Sequence, residues 1–434
     1  MLIYLIILFA LICLGTLLFI PMVRFLEHRP IFLLYSIVLV FVFSSLFSPA
    51  DLPVVSVAGI NFNQMDIIGP IILGLSFPFL FFHLRNGWLR RDQVLLVLLL
   101  WSIILALNYI LGLRAFGLQV ATNEFRGYFY IICIALYVAS LDMQVVWPQI
   151  ERLFLFGAFC LLVISIIGFL DGDFSRGGRP VASYHALLIM QAMLIGIFMY
   201  NRGHLRLSLI PFVVGLFPLL VILQHRSIWV VMLFSFVCVF ILVPTMRGKV
   251  VKSGLIGVVV VGGLSGVVFG ATIFEALKDS YDEAASMGTS QKTNTFLWRI
   301  QGWSSLLTGS QMDSVQDLLI GNPFGSGWER TVLTSDGVEE VRTESPHNFY
   351  VQTFLRGGVL GFLAFLALHI MLLKKMCFRA RVDPELRPFL LCLTVLIASQ
   401  MIYYIPYGSD YIQAIFLGSG IAWLRHSETV KGAI

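Results

Sequence analysis

Ser345-Pro346-His347-Asn348-Phe349-Tyr350-Val351-Gln352 joins two unlike kinds of sequence. A long polar stretch precedes it. From Phe349 to about residue 372 the side chains are almost all apolar. A run of that length matches the ~20 residues that carry a helix across a bilayer. Ser345 suits an N-cap and Pro346 the first helical position, so the spacing predicts a helix start at the quoted stretch. His347 would then sit at a helix N-terminus, whose partial positive charge disfavours imidazolium. A neutral ring is what a general base requires. His347 is therefore the leading candidate for a reacting group; the competing reading is a capping or interfacial histidine.

The same apolar pattern recurs along the whole chain. Of 434 residues, 58% are hydrophobic and only 12% charged, against roughly 25% charged in soluble domains. The expected fold class is an all-α polytopic membrane protein. Spans are placed near 2–20, 31–48, 67–84, 94–112, 126–143, 153–170, 184–200, 207–223, 227–244, 254–275, 349–372, 388–404 and 410–424, about thirteen in all. The first has no basic n-region and no small-residue cleavage site, so it reads as a retained span. The organisation expected is a helix bundle over 1–275, a long loop with the reacting elements over 276–348, and C-terminal transmembrane helices over 349–434. Lys and Arg concentrate in one set of alternate short loops and in the C-terminal tail. By the positive-inside rule that set is cytoplasmic and the long loop extracytoplasmic. The six cysteines lie in apolar spans or, for Cys377, in a basic loop, and imply neither a disulfide framework nor a metal site.

Several arginines resist this bias. Arg226 lies in Gln224-His225-Arg226 between two apolar spans with almost no loop. A guanidinium at that depth is costly unless it is paired or lines a polar cavity, and its planar fork suits phosphate oxygens. A site for a membrane-embedded anion is the functional reading, and snorkelling to headgroups the bland one. Arg179 and His185 form an intermediate case in Gly178-Arg179-Pro180…His185. In the long loop, Phe296, Ile300, Trp303 and Leu307 repeat at helical spacing. They predict an amphipathic helix lying on the membrane surface, with Trp298 and Trp303 as anchors and Arg299 as its cation. Gly321-Asn322-Pro323-Phe324-Gly325-Ser326-Gly327 then makes a tight turn. It lacks the Gly-Lys-Ser/Thr ending of a phosphate loop.

Other chemistries find no signature. There is no dinucleotide fingerprint, no HExxH and no Gly-x-Ser-x-Gly. Asp171-Gly172-Asp173 has the form of a metal-binding Asp-x-Asp, but a turn at a span end explains it as well. No basic aromatic surface outside the membrane points to nucleic acid. Neither a metal nor a cofactor is expected.

Four motifs fall in a fixed order: Gln224-His225-Arg226-Ser227-Ile228-Trp229, then Arg299…Trp303, then Gly325-Ser326-Gly327, then His347-Asn348-Phe349-Tyr350-Val351-Gln352 with Arg356-Gly357-Gly358…Gly361 beyond. Over about 224–361 the chain resembles the bacterial O-antigen ligase and O-antigen polymerase superfamily. The resemblance implies an inner-membrane enzyme that moves a glycan from an undecaprenyl diphosphate carrier to an acceptor hydroxyl on the outer face, with no metal. It implies diphosphate binding by Arg226 and Arg299 and proton transfer by His347; Asn348 and Arg356, together with Arg179 and His185 outside the resembling stretch, are candidate supporting residues. The acceptor would be a growing glycan or a lipid A core, and a chain-length regulator would be a further partner. The ligase-like His-Asn-Asp-Tyr reads His347-Asn348-Phe349-Tyr350 here, which favours a polymerase of repeat units over a ligase. A transporter or flippase for the same lipid-linked saccharide is the other alternative. Transporters often carry inverted repeats, and none is visible in this sequence.

Overall fold

The computed structural model describes residues 29–46, 55–57, 60–85, 92–171, 180–223, 225–246, 248, 295–308, 314–333, 339–343 and 345–431. The expected spans 2–20 and 254–275, Arg179, Gln224 and the pair Gly172-Asp173 lie outside them. The described helices are α1 (Pro30–Phe43), α2 (Gln64–Arg85), α3 (Gln93–Phe116), α4 (Leu118–Ser140), α5 (Met143–Asp171), α6 (Ser183–Asn201), α7 (Ile210–Ile222), α8 (Arg226–Leu242), α9 (Thr295–Thr308), α10 (Val315–Ile320), α11 (Phe349–Val382), α12 (Arg387–Tyr403) and α13 (Gln413–Lys431).

Five helical stretches among these are long and apolar enough to cross a membrane: Gln64–Phe82, Gln93–Phe116, Met143–Leu170, Ser183–Asn201 and Phe349–Val382. Four shorter apolar stretches join them: Pro30–Leu46, Leu207–Ile222, Arg226–Leu242 and Arg387–Tyr403. The chain is a multipass membrane protein. Large apolar side chains such as Leu100, Ile103 and Leu107 on α3, and Val230 and Leu233 on α8, face outward, as lipid-facing surfaces require.

The enclosed centre is formed by α4 and α6, with α12 and α13 against them. On α4 every residue from Tyr128 to Ala139 except Phe129 is buried. Two short antiparallel hairpins are attached to this helical bundle. Val55–Val57 pairs with Ile60–Phe62, and Glu329–Leu333 pairs with Glu339–Thr343. The second lies in a polar connection, where charged residues such as Glu329, Arg330 and Glu340 hide the strand pattern from a reading by hydropathy.

Two boundaries differ from expectation. The helix after the long loop begins at Phe349, and its N-cap is Asn348, whose side chain accepts from Val351 N at 3.0 Å. Ser345 is not the cap. His347 stands between the two candidates with φ 47°, which ends any continuous helix there. Further on, α11 is broken at Gly358 (φ 59°, ψ −164°). A Cβ at Gly321 (φ 85°) would lie 2.6 Å from Gly357 N and Gly358 N, so only glycine allows the loop after α10 to press into this break.

Candidate active site

The residues around His347 are tied down on every side. Trp303 Nε1 on α9 donates to the Pro346 carbonyl at 2.6 Å. Gln352 Nε2 donates to Ser345 Oγ at 2.8 Å. Phe349 N reaches the carbonyls of Tyr404 (2.9 Å) and Tyr407 (3.1 Å) in the α12–α13 connection. Leu306 of α9 packs on Val351 and Leu355 beneath Trp303 and Trp328. With both neighbours fixed, His347 takes the left-handed conformation and its side chain is exposed. It is the one non-glycine residue with positive φ among those described. Such strain costs on the order of 1–3 kcal/mol and clusters at functional sites.

Arg299 arrives by the same helix. It lies one turn before Trp303, and its guanidinium carbon is 5.6 Å from the centre of the Tyr407 ring. Arg299 Nε is buried with no hydrogen-bond acceptor among the described residues. The ring of Tyr407 stacks on Tyr403 at 5.0 Å, and Tyr403 Oη lies 3.1 Å from Ser183 Oγ at the start of α6. Two residues earlier, the Val181 carbonyl accepts from His225 Nε2 at 2.9 Å. His225 is the N-cap of α8, and Arg226 is that helix's first residue. A continuous series of contacts therefore links the helix ends that carry Arg226, Arg299 and His347. Arg226 is exposed, so the deep burial expected for it is not found; the loop before α8 is short but brings the guanidinium out at the helix end.

Arg356 is differently placed. It is fully buried, 2.7 Å from the carboxylate of Glu124 on α4. It donates to Ser326 Oγ (2.5 Å) and to the Gly327 carbonyl (2.6 Å), and lies 4.0 Å from the Trp328 ring centre. Glu124 in turn accepts from Gly325 N (2.8 Å) and Gly327 N (3.1 Å). Arg356 and Glu124 together hold the glycine-rich turn on the bundle. Asn108 of α3 completes the junction, donating to the carbonyls of Ile320 and Arg356. Asn348 is a buried helix cap. His185 is buried at the start of α6, with Nε2 3.0 Å from the Phe41 carbonyl and 3.2 Å from Ser44 Oγ at the end of α1.

The sequence reading does not single out Glu124, Tyr407 or Asp410. The signal for the last two is a polar interruption, Tyr404-Ile405-Pro406-Tyr407-Gly408-Ser409-Asp410-Tyr411, between two apolar stretches. One side of this connection carries Tyr407 against Arg299. The other carries Asp410 and Tyr411 on the wall of a cavity of about 550 Å³, with Ser44, Asn63, Gln64 and Tyr184. That size falls in the roughly 300–1,000 Å³ range of small-molecule sites. Desolvation pushes the Asp410 carboxyl up to about 7, although its side chain accepts from Ile412 N at 3.2 Å.

A comparison with curated proteins finds no match. Residues 210–366, just over a third of the chain, match the family model described as O-antigen ligase. The matched stretch contains Arg226, Arg299, the glycine-rich turn and His347. This match over residues 210–366 supports the likeness to the O-antigen ligase and O-antigen polymerase superfamily that the motifs carry.

Proposed function

We propose that the protein transfers a glycan from a polyprenyl diphosphate carrier, of the undecaprenyl type, to the hydroxyl of an acceptor sugar at the outer face of the inner membrane. The observation that carries this reading is Arg299, brought onto Tyr407 beside the His347 segment with a buried Nε still lacking an acceptor among the described residues. An anion at this place would satisfy it. Guanidinium groups neutralise charge that develops on a leaving diphosphate, and Arg226 is the second such group at the same end of the bundle.

In the reaction, the acceptor hydroxyl gives its proton to His347 as its oxygen attacks the anomeric carbon. The bond from that carbon to the diphosphate oxygen breaks, and the polyprenyl diphosphate leaves with the bonding pair. Arg226 and Arg299 hold the charge, so this scheme routes no step through a metal. Glu124, Arg356 and Asn348 position the site without touching substrate. Polymerisation of repeat units is favoured over ligation to a lipid A core by Phe349. Its ring is buried among Tyr128, Phe365 and Tyr404, where a ligase-like carboxylate would be desolvated at a cost.

The test is transfer in reconstituted vesicles from a polyprenyl-diphosphate-linked repeat unit. Longer lipid-linked chains support the polymerase reading, and glycan appearing on lipid A core supports the ligase. Movement of the lipid-linked saccharide across the bilayer with no new glycosidic bond would overturn both in favour of a transporter.

A further inference from the structure

At the end of α11 remote from His347, a cavity of about 470 Å³ opens between the first residues of α3 and later turns of α11 and α13. Four cations line it: Lys374, Lys375, Arg379 and Arg425. The one carboxylate among the described lining residues is Asp92, and it caps α3 by accepting from Leu95 N at 3.1 Å. Arg379 is shared with Asp383 at 3.1 Å. Asp92 and Asp142 both bear on Arg425, and Lys374 and Lys375 leave the cavity net positive, so an anion is its complement.

Depth identifies the kind of anion. Helix α3 has 24 residues, about 36 Å at 1.5 Å per residue, slightly more than the ~30 Å hydrocarbon core. Its first residues, which wall the cavity, therefore lie at the level of the lipid headgroups. Met371, Phe378 and Leu424 supply apolar wall beside the cations. A phosphate bearing acyl chains meets both surfaces, whereas free phosphate meets only the cations. Lone lysines at helix ends snorkel outward; here cations from two helices converge on one concavity. Basic pockets between transmembrane helices are suited to phosphate headgroups.

We infer that this cavity is a binding site for the headgroup of an anionic phospholipid. The site is separate from His347, and the inference does not depend on the glycan-transfer reading.

The full-length protein is purified in detergent and titrated with phosphatidylglycerol or phosphatidylcholine of identical acyl chains, with bound lipid counted by native mass spectrometry. Phosphatidylglycerol should bind at least tenfold more tightly. The double variant Lys374→Gln/Lys375→Gln should lose roughly ten- to thirtyfold, the effect expected of two cations near a lipid phosphate. Lys374→Arg/Lys375→Arg should keep the preference, which separates charge from folding, and Arg381→Gln on the same helix should change nothing. Equal binding of the two lipids, an unaffected Gln variant, or displacement of the lipid by millimolar inorganic phosphate would each overturn the inference.

Discussion

Arg356 and Glu124 meet 2.7 Å apart, and between them they bind the backbone of the turn at Gly325–Gly327. Removing one member leaves the other charge buried without compensation, which costs about 3–5 kcal/mol. Arg356→Ala should therefore lower the unfolding midpoint in detergent by many degrees and abolish transfer, although its side chain is fully buried. Glu124→Gln keeps one acceptor for the glycine amides but strands the buried Arg356 charge, so it should be destabilised to a similar degree and lose transfer as well. Wild-type stability in Arg356→Ala would remove the structural role.

How much of this is legible in the sequence depends on the range of the interactions. Helix positions such as Gln93–Phe116 and Ser183–Asn201 follow from local apolar length and agree with expected spans 94–112 and 184–200. The cap at the quoted stretch does not, because Ser345 and Asn348 are both good caps. Trp303 and the Tyr404 and Tyr407 carbonyls decide between them, and these come from distant segments. Arg356 resembles a supporting site residue in sequence because Glu124 is invisible as its partner until the chain folds. The hairpin at Glu329–Leu333 resembles a solvated acidic face, since its charges carry no period that hydropathy detects.

Asp410 gives the protein a pH dependence of stability. Its carboxyl is raised to about 7 in the folded state by desolvation, against roughly 3.9 in an unfolded chain. The folded state therefore holds the extra proton between those values. Its contribution to stability is fully present below about pH 4 and is lost as pH rises through about 7. Melting temperatures measured at pH 5 and pH 8 should differ for this reason. Asp410→Asn keeps an acceptor for Ile412 N and removes the titration, so the difference should shrink. An unchanged pH difference in the variant would sink the assignment.

Arg299 offers a separation between charge and shape. A guanidinium can stack on Tyr407 and present a fork to phosphate oxygens, and an ammonium does neither as well. Arg299→Lys should keep folding intact yet lower transfer about tenfold. Arg299→Ala should lower it on the order of 10²–10³-fold, as for loss of one transition-state donor. Tyr407→Phe keeps the ring and the Phe349 contact, which uses the Tyr407 backbone, and should be near wild type. If Arg299→Lys matches wild type in donor dependence as well as rate, the stacked geometry has no part in binding.

His347 should show the opposite sign to Arg356. Its φ of 47° costs a non-glycine residue roughly 1–2 kcal/mol. Glycine there loses that strain but gains roughly 0.5–1 kcal/mol of unfolded-chain freedom. His347→Gly should thus be as stable as wild type or up to about 1.5 kcal/mol more stable, while transfer falls by about 10²–10⁴, the usual range for a general base. His347→Ala removes the base without relieving the strain, so it should lose the same activity and gain no stability. Thermal melts and initial rates on the same preparations would show the two effects apart. A histidine retained only as a helix-start residue predicts the reverse, with activity surviving in both variants.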